Sequence, residues 1–121
     1  MLQWAVQEGT GPAPGSLSGF VTQQGLPAPN TMVTLNGVDN NGNSIQLFAM
    51  TDSNGFYLFD NLAPGTYTVS IVPPLGYTDT TSVGTLGGTG APTSISLIPL
   101  LAGQNGYYYD FMEVKGGTTG A

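Results

Sequence analysis

Glycine and proline interrupt this sequence so often that no window is left for a stable helix. Nineteen Gly and nine Pro are spread without a fixed period over 121 residues, and relative to Ala each Gly costs a helix interior about 1 kcal/mol and each Pro about 3 kcal/mol. The irregular spacing also excludes a collagen triple helix, which needs Gly at every third position. The chain is therefore predicted to be all-β, with the length of a single domain around one core.

Seven short segments between these breaks alternate apolar and polar side chains, as strands with one buried face do. The predicted strands are residues 17–21, 31–36, 45–51, 56–60, 66–72, 93–98 and 107–113. Asn-Gly pairs favour the positive φ angles of tight hairpin turns, and four of them occur, at Asn36-Gly37, Asn41-Gly42, Asn54-Gly55 and Asn105-Gly106. Strands of this number and length predict a β-sandwich of two sheets.

The stretch TDSNGFYLFDNLAPGTYTVSIVPPLGY, residues 51–77, shows the pattern most clearly. We expect Asp52 to accept N–H groups of its own turn while Gly55 takes a positive φ angle. Pro64-Gly65 is predicted to form the next turn, with Gly65 as the left-handed residue of a type II geometry. The strands on either side of that turn should each bury one face, and the buried side chains are Tyr57 and Phe59, then Tyr67, Val69 and Ile71.

This order of motifs resembles the B-type repeat domains of bacterial surface adhesins, the Cna-B and SdrD-B-like group. The resemblance rests on Leu17-Ser18-Gly19, Val33-Thr34-Leu35, the turn at 39–43 and the segments at 51–59, 62–69, 74–77 and 109–113. It implies an Ig-like or prealbumin-like Greek-key β-sandwich, here with an extra N-terminal strand, and an extracellular or cell-surface location. The expected organisation is an N-terminal strand and Gly/Pro linker at 1–15, the sandwich at 16–114 and a Gly/Thr-rich tail at 115–121.

The resemblance implies two properties for which this chain lacks the required residues. Members of the group often bind calcium through an acidic loop between the first two strands, but residues 22–29 contain no carboxylate. Some members close an isopeptide bond from a Lys on the first strand, but residues 17–21 contain no Lys. Neither the calcium loop nor the intramolecular bond is therefore expected in its usual form.

Charge is unusually scarce, at 7% of residues against about 25% in a typical soluble protein. Lys115 is the only basic residue, which excludes a nucleic-acid partner because such binding depends on many Lys and Arg side chains. No apolar run approaches the ~18 residues of a membrane span, so membrane insertion is not expected. With no His and no Cys, the usual general base and thiol nucleophile are missing, and the chain is predicted not to be an enzyme.

Oxygen ligands are plentiful enough that calcium is the one cofactor to consider. A candidate site combines Asp39, Asn41 and Asn43 with Asp52, whose spacing is loosely similar to a calcium-binding loop but supplies only two charges. The alternative is a turn closed by Asx side chains, with no bound ion.

Aromatic side chains offer a second candidate site, for stacking against a sugar. Tyr108 and Trp4 are the candidates. Tyr107 and Tyr109 have the same parity as Phe111 on the predicted last strand, so the alternative for these two is the core.

The N-terminal segment alternates apolar and other side chains at Leu2, Trp4 and Val6. A five-residue strand is not stable alone and must join a sheet, either in its own domain or in another molecule. Because the chain has only one Lys with which to protect its sheet edges, we favour addition to another copy. The predicted function is a self-assembling extracellular fibre or filament with itself as partner, and the alternative is a monomeric stalk or an adhesive, carbohydrate-binding or calcium-binding surface module.

Overall fold

Eleven strands and no helix occupy residues 13–115, the part of the chain that the structure, a computed structural model, describes. The strands are β1 (Gly15–Gln23), β2 (Leu26–Pro27), β3 (Met32–Asp39), β4 (Ser44–Met50), β5 (Phe56–Leu62), β6 (Gly65–Ile71), β7 (Tyr77–Ser82), β8 (Thr89–Ala91), β9 (Ser94–Leu100), β10 (Asn105–Gly106) and β11 (Asp110–Lys115). Each of the seven predicted strands overlaps one of these. The structure adds four that were not predicted, namely β2, β7, β8 and β10.

Two sheets pack face to face, which confirms the predicted all-β sandwich. One sheet has the order β4-β3-β6-β9-β8 and is antiparallel throughout. In the other sheet β1 is central: β5 and β2 pair with it antiparallel, β10 and β11 pair with it parallel, and β7 lies beyond β11. Neighbours such as β3, β6 and β9 are distant in sequence, so the sheets are held together by long-range pairing.

The core forms where the inward side chains of the two sheets meet. Alternation places Tyr67, Val69 and Ile71 of β6 inward, as predicted, and these side chains are buried. Burial of each such side chain contributes about 1.5–3 kcal/mol. The largest fully buried side chains include four aromatic rings, those of Tyr57, Tyr67, Tyr109 and Phe111.

Of the four Asn-Gly pairs, only Asn41-Gly42 closes a hairpin as predicted, between β3 and β4. Asn54-Gly55 forms a tight turn that joins strands of different sheets, and the other two pairs form no turn. Gly42 and Gly55 have φ angles of 85° and 76° and lie in tight turns. Asn36-Gly37 instead lies inside β3. Gly is needed there because a Cβ at Gly37 would be only 2.4 Å from the Tyr67 ring. Asn105-Gly106 forms β10, which pairs with β1. At these two positions Gly allows close packing or strand pairing, and no hairpin turn forms.

The prediction for Pro64-Gly65 is also wrong in its geometry. Strands β5 and β6 belong to different sheets, so residues 63–64 carry the chain across the sandwich and do not close a hairpin. Gly65 is not among the residues with positive φ, whereas Asn61 has a φ of 55°. Gly65 is required for a different reason, because a Cβ there would be 2.4 Å from the carbonyl oxygen of Val38.

Candidate functional sites

The loop between β3 and β4 is built around the carboxylate of Asp39. Its Oδ1 accepts the backbone N–H groups of Asn41 and Asn43, both at 2.9 Å, and its Oδ2 accepts the side-chain amide of Asn43 at 3.0 Å. The hydrogen bonds from Asn43, with that from the Asn41 N–H, hold the pKa of Asp39 below its ordinary value against the opposing effect of burial. These hydrogen bonds close the turn with the side chains of Asp39 and Asn43.

Asp52 closes a second turn of the same kind, as expected. Its Oδ1 accepts the N–H groups of Asn54 and Phe56 at 2.8 and 3.0 Å, and its carbonyl oxygen accepts the N–H of Gly55 at 2.9 Å. The turn leads the chain from β4 in one sheet to β5 in the other.

The four residues of the predicted calcium site do not come together. Asp39, Asn41 and Asn43 lie at the end of the β3–β4 hairpin where Val38 pairs with Ser44, whereas Asp52 follows the opposite end of β4. Seven residues of extended strand separate the two ends by roughly 20 Å. The combination of both turns in one ion site is therefore wrong. Within residues 13–115 no three acidic, His or Cys side chains are grouped so that they could hold a metal ion.

The three consecutive tyrosines precede β11 and point in different directions. Tyr109 is buried and donates its hydroxyl to the carbonyl oxygen of Gly87 at 2.8 Å. Tyr107 is 49% exposed and Tyr108 is 61% exposed, with their ring centroids 6.4 Å apart. The expectation that Tyr107 lies in the core is wrong, because β11 begins only at Asp110 and Tyr108 has a φ of 67° that breaks the alternation. Trp4, the other predicted stacking residue, lies outside the described residues, as do Leu2 and Val6.

Strand β4 presents a free edge without any charge. It pairs with β3 over seven residues in unbroken register, and no strand of residues 13–115 pairs with its other side. Its sequence, SIQLFAM, contains no charged residue. Phe48 and Met50 are 59% and 56% exposed, and Met32, opposite Met50 on β3, is exposed as well.

A pair of buried acids, Asp79 on β7 and Glu113 on β11, was missed by the sequence analysis. The two residues are direct cross-strand partners, so their side chains lie on the same face of the sheet. They are 6% and 1% exposed. Both carboxylate oxygens of Asp79 and the Oε2 of Glu113 have no hydrogen-bond partner among the described residues. We call these two residues the acid pair.

The surroundings of Asp79 raise the pKa of its carboxyl group. Burial, and then the charge of Glu113, raises the pKa of Asp79 from 3.8 to about 6. Glu113 keeps one partner, because its Oε1 accepts the side-chain amide of Gln23 at 3.1 Å. A signal for Glu113 was present in the sequence, since it has the parity of Tyr109 and Phe111, but Asp79 lies in a Thr-rich segment that was not predicted to be a strand.

Similar solved structures define the class of protein. The fold is similar to that of the TIE protein of Bacillus anthracis, with a TM-score of 0.55, 18% identity and coverage of 85% of this chain and 17% of that chain. It is also similar to GBS52, the minor pilin of Streptococcus agalactiae, with a TM-score of 0.52, 15% identity and coverage of 91% and 48%. The chain is thus a prealbumin-like β-sandwich module.

The family follows from the sequence match. Residues 20–89, more than half of the chain, match the SdrD B-like domain family, and the chain belongs to this family of surface-protein modules. This confirms the resemblance seen in the sequence.

Two curated relatives come from Dictyostelium discoideum. Colossin-B is 64% identical over 31 residues, which cover 24% of this chain and 1% of that protein. Colossin-A is 44% identical over 46 residues, which cover 38% of this chain and a share of that protein that rounds to 0%. This chain therefore corresponds to a very small part of either relative. No helix among residues 13–115 is long and apolar enough to cross a membrane.

Proposed function

We propose that this chain is a structural module of an extracellular or cell-surface protein, and that copies join by strand addition. In this proposal residues 2–6 of one copy pair with the free edge of β4 in the next. The observation that carries it is the edge of β4, which is seven residues long, unpaired among residues 13–115, and free of charge. Such an edge is a template for pairing with another chain.

The outer strands β8, β5 and β7 each carry a feature that discourages pairing. Strand β8 has only three residues. Strand β5 carries the exposed Asp60 and, next to it, Asn61 with a φ of 55°. Strand β7 carries the inward-pointing Asp79. Short length, charge, irregular backbone and inward charge are the devices by which sheet proteins protect their edges, and β4 has none of them.

The N-terminal segment has the composition that this edge requires. Leu2, Trp4 and Val6 alternate with other residues at the period of a strand, so one face of an added strand would be apolar. Added beside β4, that face would cover apolar side chains such as Phe48 and Met50. Main-chain hydrogen bonds would supply affinity, and the fit of alternate side chains would supply specificity.

Variants of the 121-residue chain test both halves of the contact. Replacing Leu2, Trp4 and Val6 together by Ser removes the apolar face of the donor, and Phe48→Lys places a charge on the acceptor edge. Leu75→Lys is a charge-matched control, because Leu75 is fully exposed in the loop before β7. Sedimentation velocity measures the size distribution, and negative-stain microscopy shows whether filaments form.

We expect assembly of the unsubstituted chain and of Leu75→Lys, and monomers for the triple Ser variant and for Phe48→Lys. A monomeric unsubstituted chain at all concentrations would support a stalk module instead. Loss of assembly in Phe48→Lys, with normal assembly of the triple Ser variant, would show that two β4 edges pair directly and would refute the donor strand.

A second candidate function is sugar binding, supported by the rings of Tyr107 and Tyr108. The backbone around them is held on two sides, because the Tyr107 N–H donates to Thr85 Oγ1 at 3.0 Å and the Tyr109 N–H donates to the Ser18 carbonyl oxygen at 3.1 Å. Two exposed rings on a fixed backbone suit stacking against a pyranose. Glycan-array binding by the monomer, lost in a Tyr107→Ala/Tyr108→Ala variant, would support this function, and an array without signal would refute it.

A further inference from the structure

One member of the acid pair, Asp79, lies beside a groove at the β7 side of the sandwich. Asp79 lines a groove of about 330 Å³ together with Thr80, Thr81 and residues 90–92. Asp79 is only 6% exposed, and neither of its carboxylate oxygens is open to solvent. Buried polar groups almost always have a partner, and here three carboxylate oxygens have none among residues 13–115.

No basic side chain is available to neutralise the acid pair. The only basic residue of the sequence is Lys115, which lies two residues beyond Glu113 on β11, opposite Tyr77. It donates to neither carboxylate, since the oxygens of Asp79 and the Oε2 of Glu113 are unpartnered. The remaining Glu113 oxygen, Oε1, accepts a hydrogen bond from the side-chain amide of Gln23.

We propose that the acid pair is a calcium site that ties the edge strand β7 to β11. Cross-strand partners have Cβ atoms about 4.5–5.5 Å apart, a separation from which two carboxylates can reach one ion at the ~2.3–2.6 Å of calcium–oxygen bonds. The donors are all oxygens, which favour hard cations, and the two negative charges match one divalent ion. The amide oxygen of Gln23 and bound water would complete the ligand set.

Calcium is favoured over magnesium by the burial of this site. Magnesium gives up its water reluctantly and usually keeps several water ligands, whereas calcium accepts irregular arrangements of six to eight oxygens. Three carboxylate oxygens of the acid pair are closed to solvent, so an ion bound there has to lose much of its water. This proposal does not depend on strand addition, and the assembly-deficient Phe48→Lys variant should bind calcium normally.

Calcium titration of the chelator-treated chain tests the site. We expect one ion per chain by calorimetry and a rise in melting temperature of about 5–10 °C at calcium concentrations well above Kd. Asp79→Asn and Glu113→Gln should each weaken binding at least tenfold and remove the rise. Asp39→Asn, in the β3–β4 loop, is the matched control and should leave both unchanged.

Each result supports or overturns the proposal. No heat and no change in melting temperature for the unsubstituted chain would mean that the acid pair binds no calcium. A response that persists in Asp79→Asn and disappears in Asp39→Asn would place the ion in the β3–β4 loop. An equal rise with magnesium would overturn the assignment to calcium.

Discussion

Replacing Asp79 by Asn removes one of the two buried negative charges of the acid pair, and we expect it to stabilise the calcium-free chain at neutral pH. Burial and the charge of Glu113 raise the pKa of Asp79 from 3.8 to about 6. The unfolded chain has the ordinary pKa, so folding favours the protonated carboxyl group. The contribution of Asp79 to the free energy of unfolding is therefore largest below pH 3.8, and it is lost as the pH rises through about 6.

The magnitude follows from the two pKa values. One pKa unit corresponds to about 1.4 kcal/mol, so a rise from 3.8 to about 6 makes the ionised acid cost the folded chain about 3 kcal/mol. An Asn at residue 79 never ionises and avoids this cost. Its amide can also donate to the Oε2 of Glu113, which has no partner among the described residues. Relative to the unsubstituted chain, the variant should gain about 3 kcal/mol near neutral pH, or roughly 12 °C in melting temperature.

Guanidinium chloride unfolding in EDTA, repeated from about pH 3.5 to 7.5, measures this difference. The two unfolding free energies should nearly coincide at the acid end and separate between pH 4 and 6. Asp60→Asn is the matched control, because Asp60 is an exposed acid on β5, and its effect should stay within about 0.5 kcal/mol. If Asp79→Asn destabilises the chain equally at every pH, the carboxylate makes favourable contacts and the reasoning is refuted.

Two further predictions concern the packing of the core. Gly37→Ala should destabilise the chain by about 2–3 kcal/mol, measured by denaturant unfolding, because the new Cβ would lie 2.4 Å from the ring of Tyr67 and 2.5 Å from the carbonyl oxygen of Thr66. An unchanged midpoint would show that both the ring and the backbone of β6 can move away. Tyr57→Phe should cost about 1–3 kcal/mol, since the Tyr57 hydroxyl donates to the buried carbonyl oxygen of Tyr109. A melting temperature within 1 °C of the original would show that the carbonyl oxygen finds another donor.

Alternation of side chains was sufficient to predict which residues of the long strands face the core. Tyr67, Val69 and Ile71 are buried on one face of β6, and Tyr57 and Phe59 on one face of β5, because burial of one face dictates a period of two. Local turn chemistry was equally informative where a side chain closes its own loop. Asp52 accepts hydrogen bonds from within four residues of itself, so its role needed no information about the rest of the fold.

Pairing between distant strands could not be predicted from local signals. Gly37 and Gly65 are adjacent to Asn or Pro, as turn residues are, yet both are required where another strand or ring approaches the backbone. The acid pair depends on the register of β7 against β11, across more than thirty residues of sequence. In each case the decisive contact is made by a residue far along the chain, and composition near the site does not reveal it.

The position of the acid pair also bears on whether the proposed assembly is linear or branched. If β7 is protected by an inward charge and β4 is not, each copy offers one acceptor edge and one donor segment. In the proposed assembly the donor and the acceptor are different surfaces, so the contact between copies would be heterologous. Repetition of one heterologous contact gives an open filament unless its rotation happens to close a ring. A single unprotected edge therefore favours a linear polymer, because a second acceptor on the same subunit would permit branching.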